Sequence, residues 1–109
     1  MIPIRTLLAV VTLVTAGGVA AGEAERTGAV SNGERLFQRC SGCHSVDASA
    51  KRVGPSLKGL FHERELVNGT PANEGSIRRK IMNGGDGMPT YERIFSAKEL
   101  DDLNAYLSR

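Results

Sequence analysis

A five-residue string, Cys40-Ser41-Gly42-Cys43-His44, limits what this chain can become more than any other feature. A C-x-x-C-H run is the attachment signature of c-type haem. The spacing has a chemical reason. Two thiols three residues apart share one turn of helix, so each can add across a vinyl group of one porphyrin. The imidazole that follows then projects under the same porphyrin as an axial iron ligand. Cys40 and Cys43 are the only cysteines in the chain, which excludes a separate disulfide framework. A redox dithiol of thioredoxin type belongs between a strand and a helix, and no such pattern surrounds the string. A zinc site needs two more ligands at knuckle-like spacing, and the sole other histidine is His62.

The N-terminus indicates a compartment. Arg5 is followed by an apolar run, Leu7 to Val14, and then by the small residues Ala16-Gly17-Gly18-Val19-Ala20-Ala21. This is the three-part layout of a secretory signal peptide. Residues 1–21 are expected to be the leader, cut after Ala21 with Ala24 as the alternative. An uncleaved membrane anchor is the competing reading, but the apolar core is shorter than the roughly 20 residues that a span needs. The expected location is the periplasm, with no stable membrane insertion after cleavage. Export suits the haem motif, because c-type haem is attached outside the cytoplasm in bacteria.

Residues 22–30 read as a flexible tail and 31–109 as one small domain. Removing the leader takes away one arginine and no acid, leaving a formal charge of +1. Acids and bases are interspersed. The one basic run, Arg78-Arg79-Lys80, reads as a solvated helix face, and nothing points to nucleic acid as a partner. A domain of this size buries a poor share of its surface and often needs a staple. Here one haem would complete the core as well as supply the redox group.

The pattern along the chain is all-α. Ser31-Asn32-Gly33-Glu34 has capping-box form, which predicts a first helix starting at Ser31 with Leu36, Phe37 and Cys40 on one face. Residues 45–56 read as a loop and Leu57–Phe61 as a short helical turn. Val67 to Pro71 is turn-like. A middle helix is predicted from after Asn73 to Asn83, with Ile77 and Ile81 inward and Gly84 ending it. Ser96-Ala97-Lys98-Glu99 forms a second capping box, and Leu100, Leu103 and Leu107 give the last helix an apolar stripe. The result is three to four helices with long loops. Such loops are out of place in an ordinary small domain, but they suit a chain wrapped around a large flat cofactor.

His44 is expected to bind iron through Nε2, which leaves its Nδ1–H in need of an acceptor. The second axial ligand must come from further along the chain. The candidates are Met82, Met88 and His62. Met88 is the best placed, among glycines and before Pro89. Met82 reads as a packing residue beside Ile81, and His62 as a solvent-facing histidine in a charged stretch.

With these residues the chain resembles class I c-type cytochromes. Four segments match in order: Gly33-Glu34-Arg35-Leu36-Phe37 ahead of the haem string, Gly54-Pro55-Ser56-Leu57-Lys58-Gly59-Leu60-Phe61, the loop Asn83 to Pro89, and the helix ending Leu103-Asn104-Ala105-Tyr106-Leu107. The resemblance implies the cytochrome c fold around one covalent haem c held by Cys40 and Cys43, with His44 and Met88 on the iron. It implies that Gly33 and Phe37 pack on the last helix against Leu103 and Tyr106. It also makes the Pro55 carbonyl the acceptor for His44, and Leu57 a residue lining the haem pocket. In relatives with a similar Gly-Leu-Phe segment, an arginine near a haem propionate follows closely. Here Glu63 stands there, with Arg64 one residue later.

The function implied is that of a soluble electron carrier, not an enzyme, passing one electron at a time between redox partner proteins. A monomer is expected. The alternative is a cytochrome c subunit of a larger periplasmic oxidoreductase. A haem enzyme with an open iron face is disfavoured by Met88 and by the lack of a distal acid–base set. Replacing both cysteines, Cys40→Ala with Cys43→Ala, is expected to abolish covalent haem and leave a poorly folded chain. A cooperative thermal melt of that variant would contradict this.

Overall fold

The computed structural model describes residues 10–13 and 18–109. The expected leader falls largely outside these residues. Three α-helices follow in order: α1, Gly18–Phe37; α2, Glu74–Asn83; and α3, Ala97–Leu107, with a 3-10 turn at Leu60–His62 before α2. Among the described residues the β-type pairings are two isolated bridges, Glu65 with Pro71 and Gly85 with Met88. The chain therefore has the all-α architecture expected of a cytochrome c fold. Among the described residues no helix is long and apolar enough to cross a membrane.

The start of α1 corrects the expectation. The helix does not begin at Ser31 but runs from Gly18, so residues 22–30, read as a flexible tail, are helical. Ser31 is an interior helix residue, and its capping box does not form. The cause is local propensity. Ala24, Glu25, Arg26 and Ala29 are good helix formers, and no proline interrupts the approach to Ser31. Residues 22–28 are exposed, and burial begins near Ala29 and Val30.

From there α1 is anchored by its crossing with α3. A Cβ on Gly33 would lie 2.1 Å from the Asp102 carbonyl oxygen and 2.7 Å from Tyr106 Cβ, so only glycine admits this approach. Next to it, Phe37 and Tyr106 meet with ring centroids 5.5 Å apart and planes tilted by 48°. Leu36, Phe37, Leu100, Leu103 and Tyr106 fill the seam, joined by Leu60, Ile77, Ile81 and Phe95. Leu103, 1% exposed, is the most buried. Each fully buried side chain of this size contributes about 1.5–3 kcal/mol.

The two later helices start where their caps require. Asn73 accepts a bond from the Ser76 amide at the head of α2. Ser96 and Glu99 form the reciprocal capping box of α3. The short helical turn expected over Leu57–Phe61 is displaced to Leu60–His62, after the left-handed residue Gly59.

A polar contact crosses the same seam. Asp102 is buried, and its Oδ2 accepts from Asn32 Nδ2 at 2.7 Å and from the exposed Lys98 Nζ at 3.1 Å. The Asn32 bond, with help from Lys98, holds the Asp102 carboxyl below the ordinary carboxylate range, although its burial opposes this. A lowered folded-state value means stability that is present above the unfolded value, about 3.9. That stability is lost as the pH falls through the folded value. Asp102→Asn should therefore cost about 1–3 kcal/mol at neutral pH. It should also flatten the acid side of the stability profile, measured by denaturant unfolding over a pH series.

Candidate functional site

The haem string lies immediately beyond α1, in consecutive turns. The Cys40 amide donates to the Phe37 carbonyl at 2.7 Å, while the Cys40 carbonyl accepts from Cys43 N at 3.1 Å and His44 N at 2.9 Å. One carbonyl thus gathers the second cysteine and the histidine. Both cysteines carry free thiols, Cys40 half-buried against the core and Cys43 exposed. Burial pushes the Cys40 thiol above its ordinary value, Cys43 adds to the rise, and Arg39 opposes it. A reactive redox dithiol needs the opposite shift.

A loop clamps this turn from outside. Gly54 N donates to the Cys43 carbonyl at 2.8 Å, and Leu57 N donates to the Ser45 carbonyl at 2.7 Å. Arg52 Nη1 reaches the Ser41 carbonyl at 2.7 Å. Within this clamp His44 Nδ1 lies 2.8 Å from the Pro55 carbonyl oxygen. A carbonyl can only accept, so Nδ1 carries the proton and a neutral ring presents Nε2 as a bare nitrogen. Gly54 packs flat on the same ring: a Cβ there would lie 2.5 Å from His44 Cε1. The donor set, two thiols and an imidazole with its tautomer fixed, fits a covalently tethered haem.

Met88 lies on a tight hairpin. Gly85 and Met88 exchange main-chain bonds of 2.9 and 3.0 Å across Asp86-Gly87. Asp86 and Gly87 have φ of 56° and 89°, and Gly84 and Gly85 are also positive. Two positive φ values at the turn centre mark a type I′ turn, for which Asp-Gly is a preferred pair. Asp86 is the one non-glycine residue with positive φ among the described residues, and aspartate tolerates that conformation better than most.

Cys40, Leu57, Met82, Met88 and Tyr91 are all half-buried and packed against one core cluster. His62, at the end of the 3-10 turn, is exposed, as are Lys58 and Arg64. Tyr91, to which the sequence assigned no role, lies near the site. Its amide donates to the Ile81 carbonyl at 3.1 Å, and its ring stacks on Phe95 at 5.3 Å. Burial raises its hydroxyl above the usual range, and Cys40 and Cys43 add to the rise. The segment after Met88 therefore shares the neighbourhood of both cysteines. Gly54 was also missed as a contact of His44. Its position just before Pro55 was the available signal.

These features define a helical protein with one site for a tethered haem. A sequence model of the family "Cytochrome c" matches residues 30–109, and the chain belongs to the cytochrome c family. It is 35% identical over 77 residues to a cytochrome c2 of Agrobacterium tumefaciens, a match covering 70% of this chain and 62% of that protein. The chain thus spans less than two thirds of that relative. It is 32% identical over 99 residues to a cytochrome c-550 of Nitrobacter winogradskyi, covering 75% of this chain and 91% of the other. It is 30% identical over 95 residues to a cytochrome c-550 of Bacillus subtilis, covering 86% and 70%. The family carries one covalently attached haem c, and Cys40 and Cys43 have the matching spacing.

The packing of Gly54 generates a test. Gly54→Ala should destabilise the haem-loaded protein by about 1–3 kcal/mol, because the added methyl must displace the His44 ring. Gly42→Ala, where a Cβ meets nothing within 4 Å, should cost far less. Thermal midpoints of the two variants against the parent check this.

Proposed function

We propose that this protein is a periplasmic one-electron carrier whose covalent haem is ligated by His44 and Met88. The observation that carries the reading is the bond from His44 Nδ1 to the Pro55 carbonyl, 2.8 Å long, beside the two thiols. It fixes the ring and leaves Nε2 as the nitrogen that would bind the iron. When bound, the haem supplies the ferric–ferrous couple.

The chain's own residues account for the rest. Cys40 and Cys43 tether the group against dissociation. Pro55 and Gly54 keep the His44 imidazole in one orientation, and Leu57 contributes an apolar wall. Met88 supplies a thioether sulfur, a soft donor that favours the ferrous form and raises the potential. The apolar surroundings push the same way, because a low dielectric disfavours the extra positive charge of the oxidised state. His/Met ligation in both states leaves little to reorganise on transfer. Residues 1–21 serve as the export leader, cut after Ala21, and the redox partners meet the protein in brief encounters.

The test is an absorption spectrum of protein made in a periplasm with haem-attachment machinery. A low-spin spectrum with the weak far-red band of a methionine–ferric bond is expected. Met88→Ala should keep the haem attached, lose that band and admit azide. Its potential should fall by something on the order of 0.1–0.2 V, within the roughly 0.8 V that axial ligands span. A variant with the parent's spectrum and potential would rule out Met88.

A further inference from the structure

The basic run Arg78-Arg79-Lys80 is only in part the solvated face expected from its sequence: Arg79 is exposed, whereas Arg78 and Lys80 are half-buried and paired. Arg78 pairs with Asp101 and reaches the Ala97 carbonyl, both in the α3 region. Arg79 Nη2 contacts Ser76 Oγ within α2 at 3.1 Å. Lys80 turns the other way, toward the hairpin that carries Met88. Its Nζ donates to the Gly85 carbonyl at 3.1 Å and stands 3.5 Å from Asp86 Oδ2.

That hairpin is anchored by main chain at its base. Gly84 N donates to the Lys80 carbonyl at 2.8 Å and Tyr91 N to the Ile81 carbonyl at 3.1 Å. Thr90 Oγ1 donates to the Met82 carbonyl. The tip lies beyond these anchors, where the Asp86 side chain is 89% exposed. Among the described residues Lys80 is the side chain that reaches it. The Gly85 carbonyl it holds is the one that accepts the Met88 amide, so a single oxygen joins α2, the hairpin and the Met88 backbone.

We propose that Lys80 is a positioning residue for Met88, pinning the tip of the Gly85–Met88 hairpin to α2 and so keeping the thioether on the iron. The inference rests on the reading that Met88 is an axial ligand. An ammonium donor makes a stronger bond to a carbonyl than a neutral donor does. Without it, the hairpin keeps its own two bonds and its anchors at the base, but its tip loses the side-chain tie to α2. The state with Met88 off the iron then gains population. An added ligand binds that state, so its apparent affinity rises in proportion to the open fraction.

The experiment titrates imidazole into the ferric, haem-loaded protein and follows the far-red methionine band. Four proteins are compared: the parent, Lys80→Met, Lys80→Arg and Asp86→Asn. Lys80→Met keeps the aliphatic stem and removes the donor, and should bind imidazole about five- to tenfold more tightly. Lys80→Arg should return the affinity to near that of the parent. Asp86→Asn should tighten binding too, by a smaller factor, because the Gly85 bond remains. Asp86→Asn, set against Lys80→Met, separates positioning from simple charge. Lys80→Met and Asp86→Asn change the net charge in opposite senses, so a purely electrostatic effect would move them apart. Movement in opposite directions would overturn the proposal. So would a lowered thermal midpoint in Lys80→Met with unchanged imidazole affinity, which is what a merely structural role gives. A parent without the far-red band would overturn the ligand reading itself, and this proposal with it.

Discussion

The backbone-to-backbone approach of α1 and α3 at Gly33 is the contact on which the rest of the structure depends. No side chain separates the two helices there. Phe37, Tyr106 and Leu103 can therefore close the seam immediately beside the crossing. The crossing fixes the last turns of α1, and the haem string begins three residues after that helix ends. A helix held so close to its partner has little freedom to slide, so Cys40, Cys43 and His44 start from a defined point in space. The stretch of α1 before Ala29 is solvent-exposed and rests on helix propensity, which is a much weaker source of order.

Two loops complete the site, and both work chiefly through main-chain atoms. Residues 52–57 lie over the haem string through the Gly54, Leu57 and Pro55 backbone groups. Residues 84–91 fold back on α2 through Gly84 and Tyr91. In a domain without strands among its described residues, these bonds satisfy loop groups that a sheet would otherwise pair. The loops can be long and still ordered because their polar backbone is paired against helices and turns already in place.

Much of this was legible in the sequence. Asn73 and Ser96 are caps whose side chains can bond only to the helix that follows, so α2 and α3 begin where they were expected. The turn at Asp86-Gly87 was not read, and the segment was expected to have little regular structure, although that pair is a turn signal that needs no tertiary context. The start of α1 was not legible, because the Ser31–Glu34 pattern is a capping box only if the preceding residues are non-helical. The alanine-rich segment before it settles that point the other way. The partners of Arg78 and Lys80 come from α3 and from the hairpin, and one-dimensional charge patterning has no access to either. Asp102 was invisible for the same reason. Its spacing along α3 looks like that of any surface acid, and it is the bonds from Asn32 and Lys98 that make its burial tolerable.

The shape of the Met88 hairpin is written in glycines, one aspartate and two reciprocal main-chain bonds. None of these depends on what the side chain at position 88 is. On the proposed ligation by Met88, the hairpin is in this sense a socket, and the sulfur it would offer is its exchangeable fitting. The framework decides where a donor is offered, whereas the residue at the socket decides how soft that donor is. Position and chemistry are thereby specified by different atoms. One can drift, or be altered by design, without the other having to be rebuilt.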